Sequence, residues 1–248
     1  MAEKHLGTTI DIHAGGQDLI FPHHENELAQ SRCAHDGRDF ARYWVHNGFL
    51  SIDHEKMSKS LGNVLLVHNL VETIPGEVIR LALLSAHYRQ PLDWSDETVE
   101  SARRMLDRLY GAVRGIDVPH ASRAAAEPLP AVVEALEDDL NTPKAMAEFF
   151  GLAKELNKAT DPGEQQQLAA TMYATGDLLG LLRQDPEEWF AGAADGELSA
   201  EAINERIDKR NAARAAKDFA TADALRDELA AAGVQIEDGP AGTTWRRA

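Results

Sequence analysis

The hydrophobic and polar positions divide the chain into an N-terminal part that predicts strands and a longer part that predicts helices. Residues 8–13, TTIDIH, alternate between apolar and polar side chains and include β-branched residues, which predicts a strand. A turn at residues 14–16 and a helix from Phe21 to Gln30 follow, with a proline in the first helical turn. Strand, glycine turn and helix form the unit of a doubly wound α/β sheet, in which ligands bind at the carboxyl ends of the strands.

A second buried strand is predicted at residues 43–52, interrupted by Asn47-Gly48, and the pattern then changes to helical spacing. The predicted helices cover residues 76–88, 95–114, 142–158, 164–182, 199–216 and 219–232. Stretches rich in alanine, proline or polar residues predict linkers at 117–130 and 185–198. The chain is therefore predicted to be an α/β, Rossmann-like nucleotide-binding remnant followed by mostly α-helical domains, and to be helical overall.

The last residues, VQIEDGPAGTTWRR, predict a small hairpin after a helix stop at Gly233. Val234 and Ile236 alternate with polar residues, and Asp238-Gly239 predicts the turn. Residues 243–245 would form the returning strand.

Composition narrows the functional classes. The 248 residues carry a formal net charge of -16, which argues against non-specific affinity for nucleic acid but leaves room for a local basic stripe. No apolar run reaches the roughly 20 residues that span a bilayer, so we expect no membrane segment. The single Cys33 cannot form an internal disulfide, which fits the cytoplasm, and we expect it to be a small buried residue.

The segment from Lys56 to Ser60, KMSKS, carries the clearest candidate chemistry. Two ammonium groups and two hydroxyls in a loop suit a polyphosphate, because lysines neutralise the charge that builds up as pyrophosphate leaves. Gly62 lets the backbone bend around such an anion. The alternative is a solvated surface loop, since short motifs of this kind often mislead.

KMSKS is identical to the second signature of class I aminoacyl-tRNA synthetases. Residues 11–31, DIHAGGQDLIFPHHENELAQS, resemble a segment of cysteinyl-tRNA synthetases, and so do DDLNTPKAMAEFF and the tail from Phe219. The resemblance is collinear and covers essentially the whole chain. It implies ATP-dependent activation of L-cysteine, with Mg²⁺, and transfer to tRNA(Cys).

The resemblance also implies a Zn²⁺ ion that distinguishes cysteine from serine, because a soft zinc–thiolate bond favours sulfur over a hydroxyl. Its metal ligands carry over to His23 and Glu27, which lie four residues apart on one face of the predicted helix. The alternative for such a pair is a simple helical side-chain contact. Two further family ligands are cysteines that this chain lacks, as it lacks the HIGH signature. We therefore expect a C-terminal portion that is inactive by itself.

Further positions carry over from the resemblance. Lys56 and Lys59 are expected to stabilise the transition state, with Ser58 and Ser60 also binding ATP. Gly16 and Asp18 match the residues that contact the adenosine ribose; the alternative is a turn glycine with a helix-capping aspartate. His13 matches a position that lines the amino-acid pocket, or is only a histidine at a strand end. His24 and His46 receive no role.

The helical part is expected to bind tRNA. Rows of cations at helical spacing can follow phosphates. The first row is Arg103, Arg104, Arg108 and Arg114, and the second is Arg206, Lys209, Arg210, Arg214 and Lys217. The alternative for the second row is a solvated face paired with nearby acidic residues. Trp245 either contacts the anticodon or packs the hairpin onto the preceding helices.

The predicted domains are the C-terminal part of a catalytic domain (1–64), a helical stem-contact region (65–118), a helical tRNA-binding bundle (119–190) and an anticodon-binding helical pair with a hairpin (191–248). We expect a cytoplasmic monomer. Two alternatives remain: the related cysteine ligase of mycothiol synthesis, which residues 199–248 disfavour, and a non-catalytic tRNA-binding fragment.

Overall fold

The computed structural model describes residues 2–52, 55–56, 65–191, 198–239 and 242–247. Most of these residues are helical, as predicted. In chain order the helices are α1 (Ala2–Leu6), α2 (Glu25–Ala34), α3 (Val67–Leu70), α4 (Gly76–Leu84), α5 (Asp96–Val113), α6 (His120–Ala125), α7 (Pro130–Glu137), α8 (Thr142–Leu156), α9 (Pro162–Leu179), α10 (Pro186–Ala191), α11 (Ala200–Ala215) and α12 (Phe219–Ala231). The strands are β1 (Ile10–Gly16), β2 (Ala41–Asn47), β3 (Leu50–Ile52), β4 (Glu55–Lys56), β5 (Leu92–Trp94), β6 (Val234–Gly239) and β7 (Gly242–Arg247).

The first sheet is a parallel pair, β1 and β2, with α2 in the connection between them. Parallel neighbours need such a crossover, because a tight turn can join only antiparallel strands. The register runs from Ile10 opposite Ala41 to Gly16 opposite Asn47, so both strands end at the same edge. This arrangement confirms the predicted α/β character of the N-terminal part.

The two faces of this sheet differ in chemistry, because successive side chains on a strand point to opposite sides. His13 and Trp44 are register partners, and their rings lie 4.9 Å apart on the face that also packs against His24. The neighbouring partners Ile12 and Tyr43 lie on the opposite face and are 63% and 67% exposed. One face therefore collects imidazoles, and the other presents apolar side chains to solvent.

The second sheet has the order β4-β3-β5, with β4 antiparallel and β5 parallel to β3. Leu50 and Ile52 of β3 pack against the main hydrophobic core, which helices α4, α5, α7, α8 and α9 form. In α5 the buried residues recur three and four positions apart, so one stripe of the helix faces the core. The second sheet thus attaches the N-terminal strands to the helical part.

A smaller core lies in the C-terminal module, defined here as the described residues from 198 to 247. Its members come from α11, α12 and the β6–β7 hairpin: Ile203, Ile207, Leu229, Val234 and Trp245. Trp245 is 8% exposed, and its indole N–H donates a 2.7 Å hydrogen bond to Asn204 Oδ1. This residue therefore packs the hairpin onto the helices, and its buried ring is unsuited to stacking on a base.

Three predictions for the N-terminal part are wrong. Residues 14–16 continue β1 instead of turning, because Gly15 and Gly16 pair with His46 and Asn47. The predicted helix begins at Glu25 instead of Phe21, since Phe21 is extended (φ -136°, ψ 134°) and interrupts the helical path. Cys33 is exposed instead of buried, because it lies on a side of α2 that faces solvent.

Several predictions for the helical part also need correction. The expected linker at 117–130 contains α6, whose alanines favour a helix between flanking prolines, and the linker at 185–198 contains α10. Strand β5 was not predicted, because three residues are too short to show a period and depend on pairing with β3. Helix α4 ends at Leu84 instead of residue 88, and β6 extends through the expected turn at Asp238-Gly239.

Candidate metal and nucleotide site

The carboxyl end of β1 and the start of α2 bring together the side chains that the sequence predicts for a metal. His13 lies in β1, His23 lies in the irregular turn before α2, and Glu27 lies in the first turn of α2. Glu27 Oε2 is 2.9 Å from His13 Nε2, and Glu27 Oε1 is 3.5 Å from His23 Nε2. The glutamate carboxylate therefore lies between two imidazoles.

His24 and His46 extend this cluster on the same face of the sheet. His24 is 4% exposed, and its Nδ1 lies 2.8 Å from His46 Nε2. Burial lowers the pKa of His24, and the neighbouring His13 and His46 lower it further. The neutral imidazole is therefore favoured at His24, and in this form a ring nitrogen has a lone pair that it can donate to a metal ion.

His13, His24 and Glu27 satisfy the geometry of a metal site most closely, since one ligand atom from each lies within 4.8 Å of the others. Imidazole nitrogen and carboxylate oxygen are both ordinary zinc ligands, so the donor set fits the predicted metal. His23 is 59% exposed; its Nε2 lies 3.5 Å from Glu27 Oε1, and its ring centre lies 5.6 Å from that of His24. The predicted pair is thus part of a cluster with four imidazoles, those of His13, His23, His24 and His46.

The predicted ribose contacts lie at the edge of the sheet where β1 ends. Gly16 is the last residue of β1, and Asp18 is exposed in a short 3₁₀ turn, Gln17–Leu19. A side chain on Gly16 would come within 2.5 Å of Asp18 Oδ1, so this position requires glycine while the carboxylate keeps its place. Asp18 lies well before α2, whose first residue follows His24, and the ribose-binding role of Asp18 stays a prediction.

Gln17 fastens this turn to the segment that follows α4. Its side-chain amide donates a 2.9 Å hydrogen bond to the carbonyl of Arg89. The guanidinium of Arg89 in turn forms an ion pair with Asp139 after α7, with 2.6 Å between Nε and Oδ2. The candidate nucleotide edge is thereby linked to the helical core through two short contacts.

The KMSKS segment is described only at its first residue. Lys56 is the last residue of β4, where its backbone pairs with Ser51 of β3. Ser58, Lys59, Ser60 and Gly62 lie outside the described residues. The KMSKS segment therefore starts beside β3, and the phosphate-binding role of its lysines stays a prediction.

The second row of predicted tRNA-binding cations is extensively paired. The ion pairs are Arg206–Glu228, Lys209–Glu205, Arg210–Asp238 and Arg214–Asp238. Arg210 is buried, and its two hydrogen bonds to Asp238 hold the pKa of that carboxyl well below its usual value. For these four residues the paired-face alternative describes the structure better than a free cationic stripe.

The arginines of the first row of predicted tRNA-binding cations have different surroundings. Arg104 and Arg108 are exposed and line a cleft of about 1120 Å³ between α5 and the C-terminal module. The Arg108 guanidinium lies 4.8 Å from the centre of the Phe150 ring. Arg114 is engaged by Glu187 and Phe190, so its charge is not available to a phosphate.

The sequence contained a signal for the two histidines that received no role. His46 follows Trp44 by two positions in β2, so both side chains must leave the strand on one face. His24 directly follows His23 in a turn, where adjacent side chains diverge, so that one is buried and the other exposed. Recognising their contact required knowing how the turn before α2 packs against β2, which the alternation pattern alone does not give.

Family models match most of the chain in three segments. Residues 1–104 match "tRNA synthetases class I (C) catalytic domain", residues 131–183 match "DALR domain", and residues 195–246 match "Cysteinyl-tRNA ligase anticodon binding domain". The order of the three matches follows the predicted order of catalytic and tRNA-binding parts. The boundaries predicted between those parts remain predictions.

Curated relatives match over almost the full chain. The chain is 61% identical over 247 residues to the cysteine–tRNA ligase of Parvibaculum lavamentivorans, covering 99% of this chain and 53% of the relative. It is 56% identical over 252 residues to that of Caulobacter vibrioides, again covering 99% of this chain and 53% of the relative. The chain therefore spans about half the length of the curated relatives it matches.

A solved structure supports the fold. The agnB2 LeuRS of Agrobacterium radiobacter K84, in a ternary complex with tRNA and LeuAMS, superposes with a TM-score of 0.50 at 19% identity. The match covers 66% of this chain and 24% of that protein. At this level of identity the likeness concerns the fold alone.

Proposed function

The chain belongs to the cysteine–tRNA ligase family, and from this premise we propose that it serves the ATP-dependent joining of L-cysteine to tRNA(Cys). The observation that carries the proposal is the cluster of His13, His23, His24 and Glu27 at the carboxyl edge of β1, beside Gly16 and Asp18. The match of residues 195–246 to an anticodon-binding model favours a tRNA substrate over the amino sugar of mycothiol synthesis.

Glu27 would hold a zinc ion together with His23, the ligand that the resemblance implies, and with His13 and His24, whose ring nitrogens lie within 4.8 Å of its carboxylate. Zinc supplies a soft Lewis acid that prefers the thiolate of cysteine to the hydroxyl of serine. The 2.9 Å contact between His13 and Glu27 orients the carboxylate, and the 2.8 Å contact between His24 and His46 orients the buried imidazole. The protein's role here is to keep these donors in place before the amino acid arrives.

The remaining chemistry concerns ATP, which binds with Mg²⁺. Gly16 and Asp18 would receive the ribose at the end of β1, and Asp18 would accept hydrogen bonds from the sugar hydroxyls. Lys56 and Lys59, with Ser58 and Ser60, would neutralise the charge on the departing pyrophosphate while the cysteine carboxylate attacks the α-phosphate in line. Positioning and charge stabilisation suffice, and no covalent intermediate with a protein nucleophile is needed.

The helical part and the C-terminal module would bind tRNA, through Arg104 and Arg108 beside the cleft and through the hairpin end. Among the described residues, no helix is long and apolar enough to cross a membrane. We place the protein in the cytoplasm and expect a monomer.

Zinc affinity tests the site directly. We expect the 248-residue chain to bind one zinc ion and Glu27→Gln to weaken binding by about tenfold or more, because the shared carboxylate loses its charge. Competition with a chromophoric chelator measures both constants without requiring enzyme activity.

Glu25→Gln is the matched control, since Glu25 is an exposed glutamate in the same helical turn with no place in the cluster. Its zinc affinity should equal that of the unaltered chain. Equal affinities for Glu27→Gln and the unaltered chain would contradict the proposed site.

A further inference from the structure

Arg114 joins three segments that are far apart in the chain. It follows the last residue of α5, and its side chain is 17% exposed. Its Nε and Nη2 atoms donate to the two carboxylate oxygens of Glu187 in α10, at 2.8 and 2.5 Å. Its Nη1 atom donates to the backbone carbonyl of Trp245 in β7, at 3.2 Å. One guanidinium therefore connects α5, α10 and the C-terminal hairpin.

The two residues that Arg114 holds are themselves fixed. Trp245 is anchored in the core of the C-terminal module, so a bond to its carbonyl restrains that module. Helix α10 is attached to α5 by the Trp189 indole, which donates to Asp107 at 2.9 Å and stacks on Tyr110 with 4.7 Å between ring centres. Glu187 is therefore held next to α5, and its carboxylate fixes the position of the Arg114 guanidinium.

The surroundings of Arg114 indicate how this contact can restrain the C-terminal module relative to α5. The cleft between α5 and the hairpin has a volume of about 1120 Å³ and lies beside the bridge. Apart from Arg114, α10 contacts β7, and Ala191 at the end of α10 packs against the small core. Phe190 lies under the guanidinium, 4.6 Å from ring centre to Cζ, and shields it from water. A bidentate, partly buried arginine pair holds its geometry better than an exposed pair.

We propose that Arg114 is a positioning residue that holds the C-terminal module at a fixed orientation to α5, so that one RNA molecule can contact both at once. Two surfaces held in one orientation bind a common ligand more tightly than two that must be ordered during binding. The orienting role stands by itself, whereas its effect on RNA affinity rests on the proposed function.

The orientation is measured without RNA. In a Cys33→Ser background, spin labels on Lys154→Cys in α8 and Ala224→Cys in α12 report the distance between the helical core and the module; both positions are exposed. We expect one narrow distance distribution for the otherwise unaltered chain and a broad one after Arg114→Ala. An unchanged distribution in Arg114→Ala overturns the inference.

RNA binding provides the functional readout. We expect Arg114→Ala to weaken binding of a tRNA(Cys) transcript by about tenfold, because the two surfaces no longer act together, and to leave the isolated anticodon stem-loop within about twofold. Fluorescence anisotropy measures both affinities. Equal weakening for both RNAs would assign Arg114 a local role and overturn the proposal. If the unaltered chain binds neither RNA, the proposed function fails, while the distance measurement still decides the orienting role.

Arg183→Ala is the charge-matched control. Arg183 also pairs with one carboxylate, Asp177, but that pair lies within one segment and connects no distant elements. Arg183→Ala should leave the distance distribution unchanged.

Glu187→Gln provides a second variant. It weakens the ion pair with Arg114 at an exposed residue that belongs to neither core, and it should broaden the distance distribution as Arg114→Ala does. Arg114→Lys should restore part of the narrow distribution, because an ammonium can pair with Glu187 but cannot reproduce the bidentate contact.

Discussion

Glu77 is a carboxylate inside the main core, and its hydrogen bonds explain how a charge is tolerated there. The residue is 8% exposed, and it accepts hydrogen bonds from the Tyr110 hydroxyl and from the backbone N–H groups of Leu182 and Arg183. The same hydroxyl accepts from the N–H of Gln184 at 3.1 Å. Burial raises the pKa of Tyr110, so the phenol remains protonated and can donate. This network ties α4 and α5 to the chain after α9.

Removing the Tyr110 hydroxyl should therefore destabilise the protein. We expect Tyr110→Phe to lower the free energy of unfolding by about 1–3 kcal/mol, because a buried carboxylate loses a donor and the Gln184 N–H loses its acceptor. Urea unfolding followed by circular dichroism measures the loss.

Tyr173→Phe is the control, since Tyr173 is also buried but its hydroxyl makes no hydrogen bond to another described residue. The decrease in the free energy of unfolding should be clearly smaller for Tyr173→Phe than for Tyr110→Phe. Equal losses for the two variants would mean that ring packing, and not the network, determines the effect.

For individual residues, the separation along the sequence predicted only part of the candidate site. His23 and Glu27 lie four residues apart, so their proximity could be read from the sequence. The contact between His24 and His46 depends on how the turn before α2 packs against β2, which spacing along one segment cannot supply. The buried position of Trp245 was one of two alternatives, and packing against residues of two helices decided it.

At the scale of elements, the long helices were predictable because each carries its own signals. Helix α5 has Ser95 as an N-cap that accepts from the Thr98 N–H, and α8 has the corresponding bond from Lys144 to Asn141. Strand β5 depends on a partner strand, and α6 has only six residues and no side-chain cap bond, so its alanines are its one helical signal. Elements that tertiary contacts stabilise are the ones that sequence patterns missed.

Two glycines, one that ends a helix and one inside a helix, should respond in opposite directions to alanine. Gly180 ends α9 in the left-handed conformation with φ 71°, and an added methyl group would meet the Arg80 side chain at 2.9 Å. We expect Gly180→Ala to lower the free energy of unfolding by about 1–2 kcal/mol. Gly151 is exposed inside α8 with open space around it, so Gly151→Ala should raise stability by about 0.5–1 kcal/mol.

Thermal and urea unfolding of both variants provide the measurement. The pair controls for the added methyl group itself, because the chemical change is identical. A gain in stability for Gly180→Ala would contradict the capping role of that residue.

At the scale of the whole molecule, the described residues contain two separate hydrophobic cores. The larger one lies among the central helices, and the smaller one lies within the C-terminal module. A core formed by so few side chains buries little apolar surface and gives the module a small free energy of unfolding. The module should therefore be able to unfold while the larger core stays intact.

Ile203→Ala tests this independence. Ile203 is fully buried in the small core, and a cavity there should cost about 2–5 kcal/mol. We expect hydrogen exchange to accelerate across α11, α12 and the hairpin while α5, α8 and α9 keep their protection. Leu156→Ala in the large core is the reciprocal control and should accelerate exchange in the central helices. Uniform acceleration in Ile203→Ala would show that the two cores unfold as one unit.

The open face of the β1–β2 sheet has a consequence for how copies of the protein behave in concentrated solution. Ile12 and Tyr43 present adjacent apolar side chains to water, while the formal net charge of -16 makes copies repel one another. Ions shorten the range of that repulsion and do not weaken the attraction between apolar patches. Colloidal stability should therefore fall as ionic strength rises, and dilute buffers should keep the chains apart.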